Sequence, residues 1–176
     1  RTPTLIADAV KQLRPGAALD IVDLGCGTGL CGNLLKPPAR TLIGIDLSPN
    51  MLEKARQLQI YDALHCVEIQ QYLQGEPEGT FDAVIAADVF VYVGDLEAIF
   101  GEARRLLRPG GLFGFSVEAV DSDGFTLRTS LRFGHSERYL RRLADTHGFR
   151  IEASDRHPLR REGTAMIEGI LVMLGR

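Results

Sequence analysis

The fold of this chain is decided by residues 21–29, Ile-Val-Asp-Leu-Gly-Cys-Gly-Thr-Gly. An apolar strand, Ile21 to Leu24, ends at three alternating glycines, and a helix is predicted from about Leu30 to Leu35. Because glycine has no Cβ, the backbone can turn tightly here and a ligand can lie against the bare peptide. A second apolar strand, Leu42 to Ile45, ends in Asp46, whose carboxylate can accept both hydroxyls of a ribose. The pattern predicts a site for an adenosine-type cofactor.

Two classes of cofactor compete for that turn. Residues 27–32 match G-x-G-x-x-G, the dinucleotide fingerprint, and this match favours a nicotinamide-dependent oxidoreductase. The fuller pattern places Asp23 inside the strand and glycines at 25, 27 and 29. That pattern resembles the first motif of the class I S-adenosylmethionine (SAM)-dependent methyltransferases. Three further stretches resemble motifs of the same family in the same order: residues 44–48 (second strand), 81–88 (fourth strand) and 106–112 (turn into the fifth strand).

The resemblance implies a fold and an activity. The fold is a Rossmann-like α/β class I methyltransferase fold with a mostly parallel seven-stranded sheet, an antiparallel closing hairpin and helices on both faces. The activity is transfer of a methyl group from SAM to an acceptor, leaving S-adenosylhomocysteine (SAH). A relative that binds SAM without turnover, as an interaction module, is the other alternative. Charge favours SAM, because Asp23 would offset its sulfonium and ammonium groups but would repel a pyrophosphate.

Residues of the glycine turn and of the second strand make up the first half of the expected cofactor site. Gly25, Gly27 and Gly29, with Cys26 between them, are expected to line the methionine and ribose parts of SAM. Asp46 is expected to hold the ribose hydroxyls, because Ser48 already supplies the cap of the next helix.

Residues further along the chain complete the expected cofactor site. Leu47 and Met51 are expected to flank the adenine. Glu68 stands where the family usually has an aspartate for the adenine amino group, and Ile69 follows as a backbone donor to the ring. Ala87, at the end of the fourth strand, is expected to offer its carbonyl to the cofactor ammonium.

Methyl transfer from a sulfonium is a displacement on an activated carbon, so alignment supplies much of the acceleration. A base is needed only when the acceptor must lose a proton. Asp88, at the ligand end of the fourth strand, and His135, ahead of a late helix, are the candidate catalytic residues. Tyr92 lies in an apolar run and is expected to pack. Arg128 and Arg132 lie on the polar face of a strand and are candidates to pair with an anionic acceptor.

Composition is that of an ordinary globular domain. The 176 residues are 45% apolar and 24% charged with a net charge of −3, so we expect one domain over residues 1–176 and no nucleic-acid partner. We expect no membrane span, and the scattered histidines and three cysteines predict no metal site and a reducing, cytoplasmic location. The late motifs also resemble a methyltransferase branch that carries upstream tetratricopeptide repeats, so such a region is expected before residue 1.

Periodicity predicts the main elements. A leading helix is expected over Thr4 to Leu13, and a third strand over Leu64 to Ile69. After Ser48, a helix is expected to turn four apolar side chains inward: Met51, Leu52, Ala55 and Leu58. A helical stripe is expected over Leu96 to Leu107 and a fifth strand over Leu112 to Val117.

The last third of the chain departs from simple strand–helix alternation. Alternating apolar residues predict one extended strand from Phe125 to Phe133. Ser136 is expected to cap a helix that stops at Gly148. Two closing strands, Phe149 to Ala153 and Ala165 to Leu174, are expected to form an antiparallel hairpin joined by the polar segment Asp155 to Gly163.

Overall fold

The computed structural model describes residues 2–162 and 165–176. The helices are Thr2–Leu13 (α1), Leu30–Leu35 (α2), Pro49–Gln57 (α3), Ile69–Gly75 (α4), Glu97–Leu106 (α5) and Glu137–Thr146 (α6), with a 3₁₀ turn at Phe90–Tyr92. The strands are Leu19–Leu24 (β1), Ala39–Asp46 (β2), Ala63–Cys66 (β3), Phe81–Ala86 (β4), Leu107–Ala119 (β5), Phe125–Leu127 (β6), Phe133–His135 (β7), Arg150–Glu162 (β8) and Ala165–Gly175 (β9).

One sheet organises these elements. Strands β3, β2, β1, β4 and β5 lie side by side in that order and run parallel, while β9 pairs antiparallel with β5 and β8 pairs antiparallel with β9. This arrangement confirms the predicted α/β methyltransferase fold with its antiparallel closing hairpin. Because β1, β2 and β4 are parallel, their carboxyl ends meet at one edge of the sheet, where such folds place their ligands.

A small hairpin of β6 and β7 adds to the seven-stranded core at that same edge. Glu118 of β5 pairs with Gly169 on one side and with Gly134 of β7 on the other. Strand β4 occupies this second side of β5 only as far as Phe115, so β7 takes its place where β4 ends. The β6–β7 hairpin therefore stands above the carboxyl end of β4, directly over the segment that follows it.

Both faces of the sheet are covered by apolar side chains. One face carries a cluster of five phenylalanines whose ring centroids are 4.8–6.1 Å apart: Phe90, Phe100, Phe113, Phe115 and Phe149. The other face packs against α1 and α2 through Ile6, Val10 and Leu35. These packed layers hold the strand ends rigidly and so fix the positions of the loops that follow them.

The structure corrects several predicted elements near the chain's start and middle. Helix α1 begins at Thr2, two residues early, because Pro3 suits a first helical turn. The third strand is only Ala63–Cys66, since Glu68 caps α4. Helix α3 buries Leu52 and Ala55, but Met51 and Leu58 are exposed.

The segment predicted as one strand over Phe125 to Phe133 is two strands joined by a tight turn. The N–H of Leu131 donates to the carbonyl of Arg128 (3.0 Å), and Leu131 has φ +61°. The alternation of apolar and polar residues continues through such a turn, so it does not show that the chain reverses direction there. The closing hairpin is confirmed, but residues 155–162 of its polar segment are strand as well, because β8 continues to Glu162 and pairs with β9 along its length. Gly163, the last residue of the predicted segment, lies outside the described residues.

Candidate functional site

A cavity of about 360 Å³ lies at the carboxyl ends of the parallel strands, and we call it the strand-end cavity. Its walls include Gly25 after β1, Asp46 and Leu47 at the end of β2, and Asp88 and Val89 after β4. The segments that follow these three strands converge here because β2, β1 and β4 are neighbours in the sheet and run parallel.

The glycine turn bends around this cavity. Gly25 has φ +63°, and a Cβ built on it would lie 2.5 Å from Cγ2 of Val89. Gly27 has φ +55°, and a Cβ there would meet no atom within 4 Å, so its backbone borders open space. A glycine is therefore needed at position 25 because the loop after β4 packs closely against it. A glycine is favoured at position 27 because the backbone there is left-handed.

Two other residues of the turn, Gly29 and Cys26, make contacts beneath it. A Cβ on Gly29 would lie 2.7 Å from Cδ1 of Leu58 and 3.2 Å from the Tyr61 ring. This glycine makes room for side chains beneath the turn. Cys26 is buried under the turn, and a Cβ on Gly44 would lie 3.0 Å from its sulfur. Of the turn residues expected to line SAM, Gly25 lines the strand-end cavity, and the contacts of Cys26, Gly27 and Gly29 with SAM stay a prediction.

Asp46 is oriented by two backbone groups. The N–H of Gly27 donates to its Oδ2 (2.9 Å), and the N–H of Ser48 donates to its Oδ1 (2.8 Å). Each carboxylate oxygen keeps further acceptor capacity, so the cavity-facing carboxylate can still take hydroxyl hydrogen bonds. The same residue ties the glycine turn to the end of β2.

Glu68, Ile69 and Leu47 lie at the far wall of the strand-end cavity, whereas Met51 does not. The side chain of Glu68 caps α4 by accepting from the N–H of Gln71 (2.9 Å) through Oε2, which leaves Oε1. Ile69 is the first residue of α4, so its N–H has no acceptor within the helix. Met51 is 42% exposed on α3, one turn away from the wall where adenine was expected.

Asp23 lies beneath the turn, with only 1% of its surface exposed. The hydroxyl of Tyr61 donates to its Oδ2 (2.8 Å), and burial raises the pKa of Asp23 to about 7. Its carboxyl does not line the strand-end cavity. The expected contact with a cofactor's positive charge is therefore replaced by a buried Asp23–Tyr61 pair that supports the turn from below.

Asp88 lines the strand-end cavity and also a second cavity of about 290 Å³. We call this second one the hairpin cavity, because Arg132 in its wall comes from the β6–β7 hairpin and Leu159 from the β8–β9 hairpin. Asp88 has φ +59°, an unfavourable conformation for a residue with a Cβ. Its N–H donates to Oγ of Ser116 (2.9 Å), and that hydroxyl donates to Oδ1 of Asp88 (3.2 Å). Buried Ser116 of β5 therefore holds both the backbone N–H and the carboxylate of Asp88.

Tyr92 is also shared by the two cavities, which corrects its expected packing role. Its side chain is 67% exposed, and the Arg132 guanidinium lies 5.8 Å from its ring centroid. Ala87 lines neither cavity, so the role of its carbonyl stays a prediction. Sequence reasoning missed Ser116, and it missed Pro158 and Leu159, which line the hairpin cavity from a segment expected to be a connector.

His135 is not a catalytic residue in this structure. Its ring is fully buried and packs against Tyr139, with 6.0 Å between ring centroids, and it lines neither cavity. Nε2 lies 2.9 Å from the carbonyl oxygen of Gly94, so this nitrogen carries the proton. Burial lowers the pKa of His135. The prediction of a catalytic His135 is wrong, because the β6–β7 hairpin turns the ring inward.

Residues 2–162 and 165–176 contain no group of three or more His, Cys, Asp or Glu arranged to hold a metal ion. Within that same part of the chain, none of the helices has the length and apolar character needed to cross a membrane.

Residues 22–115, more than half of the chain, match the family described as a methyltransferase domain. Over 116 residues the chain is 43% identical to human methyltransferase-like protein 27, covering 64% of this chain and 46% of that protein. It is 34% identical over 114 residues to malonyl-[acyl-carrier protein] O-methyltransferase of Serratia marcescens, covering 61% and 41% respectively. The chain thus spans less than half the length of these two curated relatives.

The fold is also similar to that of solved structures. An S-adenosylmethionine-dependent methyltransferase from Mesorhizobium loti superimposes with a TM-score of 0.71 at 23% identity, with 96% of both chains covered. The matched residues hold the glycine turn, Asp46 and Asp88, which are the parts of the chain that build the strand-end cavity. On this match and this geometry together, the chain belongs to the methyltransferase-domain family.

Proposed function

We propose that the chain binds SAM in the strand-end cavity and transfers its methyl group to an acceptor in the hairpin cavity. The observation that carries the proposal is the shared wall, since Asp88 and Tyr92 line both cavities. Two reactants held in adjoining cavities can meet at one boundary, and such alignment replaces much of the entropy cost of a bimolecular reaction. Membership of the methyltransferase-domain family supports this choice over a nicotinamide-dependent oxidoreductase.

The groups around the strand-end cavity suit SAM chemically. Asp46 offers carboxylate oxygens to ribose hydroxyls, and Glu68 and Ile69 offer an acceptor and a donor to the adenine edge. Leu47 and Val67 supply apolar walls for the adenine faces. The open backbone at Gly27 leaves room beside the turn for the remainder of the molecule.

In the proposed reaction, the residues of the chain align the acceptor and receive its proton. SAM supplies a methyl group already activated by the sulfonium sulfur. A lone pair of the acceptor's oxygen or nitrogen forms a bond to the methyl carbon as the carbon–sulfur bond breaks, and that bond's electron pair stays on sulfur. Asp88 receives the proton that the acceptor loses, and Ser116 holds its carboxylate at the boundary of the two cavities.

A binding measurement on a matched pair of variants tests the cofactor half of this proposal. We expect Asp46→Ala to weaken the binding of radiolabelled SAM by about tenfold or more in equilibrium dialysis, because it removes a charged hydrogen-bond acceptor. Glu53→Ala is the control, since Glu53 is an exposed acid on α3 that pairs with Arg56. Equal SAM affinity in both variants would refute the placement of the ribose at Asp46.

Transfer itself is tested by following SAH release from SAM with a panel of hydroxyl and amine acceptors. SAH formation that depends on an acceptor and falls in Asp88→Asn is the expected result. SAM binding without SAH formation across the whole panel would favour the alternative of a SAM-binding interaction module and contradict the transfer step.

We also propose a cytoplasmic location. The support is chemical: Cys26, Cys31 and Cys66 are free thiols, and free thiols persist in a reducing compartment.

A further inference from the structure

Beside the hairpin cavity, two arginines of the β6–β7 hairpin lie close to a buried acid at the end of β5. Glu118 of β5 is fully buried, and two arginines from the hairpin reach toward it. Nη1 of Arg132 lies 3.7 Å from Oε1 of Glu118, and Nε of Arg128 lies 3.8 Å from Oε2. Two positive charges and one negative charge leave this trio with a net charge of +1.

Of these two arginines, Arg132 is the one that lines the hairpin cavity. At 3.7 Å its contact with Glu118 is an ion pair without a hydrogen bond, so its N–H donors are not used up there. Its guanidinium also lies 5.8 Å from the Tyr92 ring centroid, which is within the range of a cation–π contact. Arg132 therefore presents an oriented fork of donors to the cavity, with Glu118 as the residue that positions it.

The remaining walls define what else the occupant needs. Asp88 carries a negative charge at the boundary with the strand-end cavity, whereas Val91, Pro158 and Leu159 are apolar. An anionic group beside Asp88 would be repelled, but the same group beside Arg132 would be attracted. The two charged side chains thus orient a small molecule in the cavity, with its anionic group toward Arg132 and its hydroxyl or amine toward Asp88.

We propose that the methyl acceptor is a small organic anion, a carboxylate or a phosphate ester, whose charged group pairs with Arg132 and whose separate hydroxyl or amine reaches Asp88. This inference rests on the proposed function, because it assigns the acceptor of the same site. A bidentate pair between a guanidinium and a carboxylate or phosphate gives orientation as well as affinity. Arg132 is accordingly a specificity-determining residue, and the cavity of about 290 Å³ has room for a group of small-molecule size.

The test is a calorimetric titration of the SAH-saturated protein with three probes of similar shape: benzoate, phenyl phosphate and benzamide. We expect benzoate or phenyl phosphate to bind saturably and at least tenfold more tightly than neutral benzamide. The better of the two anions distinguishes a carboxylate acceptor from a phosphate ester. Equal affinity for benzoate, phenyl phosphate and benzamide, or binding of none of them, would overturn the inference.

Variants then locate the anion. We expect Arg132→Gln to lower the affinity for the better anion about tenfold. Arg141→Gln is the charge-matched control, because Arg141 is exposed on α6 and pairs with Glu137. An equal loss in both variants, or no loss in Arg132→Gln, would contradict a role for Arg132. The anion preference of the wild-type protein tests the inference even if Arg132→Gln does not fold.

The first step of the experiment, SAH binding, separates the two proposals. Failure of SAH to bind would contradict the proposed function. SAH binding without a preference for the anionic probes would contradict only the acceptor class.

Discussion

Asp46 and Asp88 both follow a strand of the sheet, but they are held in different ways. Asp46 accepts from the N–H of Ser48, two residues later, and from the N–H of Gly27, 19 residues earlier in the glycine turn. Asp88 is held by Ser116, which comes 28 residues later in the chain. The contact with Ser48 is a local motif of the sequence, whereas the contacts with Gly27 and with Ser116 depend on the pairing of β1 with β2 and of β4 with β5. Sequence spacing therefore predicted that Asp46 ends a strand beside the glycine turn, but it could not predict the partner of Asp88.

The role of Ser116 leads to a prediction for the reaction. Ser116→Ala removes the hydroxyl that accepts from the Asp88 N–H and donates to its carboxylate, so Asp88 should lose its fixed orientation. We expect SAH formation to fall about tenfold while SAM affinity stays within about twofold. Ser122→Ala, in an exposed loop, is the control. A matching loss of SAM affinity would show that Ser116 supports the cofactor cavity instead.

For His135, we predict an effect on stability instead of an effect on the reaction. His135→Ala removes a buried ring and its hydrogen bond to the carbonyl of Gly94, so it should lower the free energy of unfolding by about 2–4 kcal/mol. Urea unfolding followed by circular dichroism measures the change. Unchanged stability combined with a large loss of turnover would restore the catalytic role that the sequence had suggested.

At the scale of elements, strands and helices with a single apolar face were predicted well. The errors came where a period-two pattern crossed a turn, as between β6 and β7, or where polar residues formed a paired strand, as in β8. In both cases, pairing between the two strands of a hairpin decides the structure, and the alternation of side chains does not show where the chain reverses. These two hairpins supply Arg132, Pro158 and Leu159 to the hairpin cavity, so the acceptor side was the part least visible beforehand.

A pair of helical glycines tests how α2 is packed. A Cβ on Gly32 would overlap the Tyr61 ring, approaching its Cε1 to 3.0 Å and its hydroxyl oxygen more closely still. A Cβ on Gly101 of α5 would lie at an ordinary 3.4 Å from His147. Glycine to alanine normally stabilises a helix by up to about 1 kcal/mol, so we expect a gain for Gly101→Ala and a loss for Gly32→Ala.

Thermal unfolding of the two variants measures this contrast. A gain in stability for both would mean that Tyr61 moves aside freely, and would contradict its position as the support beneath the glycine turn.

At the scale of the whole molecule, Asp23 makes folding depend on pH. Burial raises its folded-state pKa from 3.8 to about 7, so between these values the folded protein binds a proton that the unfolded chain has released. The free energy of unfolding should therefore fall as the pH rises from about 4 to 7, by up to about 1.4 kcal/mol per pH unit from this group. Asp20 does not act in this window, because arginine partners hold its pKa well below its usual range.

The isosteric variant Asp23→Asn isolates that contribution. We expect the difference in unfolding free energy between wild type and Asp23→Asn to change steadily from pH 4 to 7 and to level off above pH 7. A difference that is constant across this range would contradict a buried, proton-binding Asp23.

The overall fold was predictable from sequence because four motifs, in order along the chain, belong to strand ends that must meet at one edge of a parallel sheet. Gly25, Asp46, Leu47, Glu68 and Ile69 all line the strand-end cavity, and their contacts with a cofactor stay a prediction. Asp23, Cys26 and Gly29 lie under the turn instead, because the bulk of Tyr61 packs there. Sequence spacing alone does not say which side of a turn a residue faces.

Ligand-dependent stabilisation tests the central claim most directly. We would titrate the protein with SAM, SAH, NADH and NADPH and follow its thermal unfolding. A ligand that binds only the folded state, at a hundred times its dissociation constant, adds about 2.7 kcal/mol of stability. We predict stabilisation by SAM and SAH and none by the nicotinamide cofactors; stabilisation by NADH or NADPH instead, or by none of the four, would contradict a SAM-binding site in the strand-end cavity.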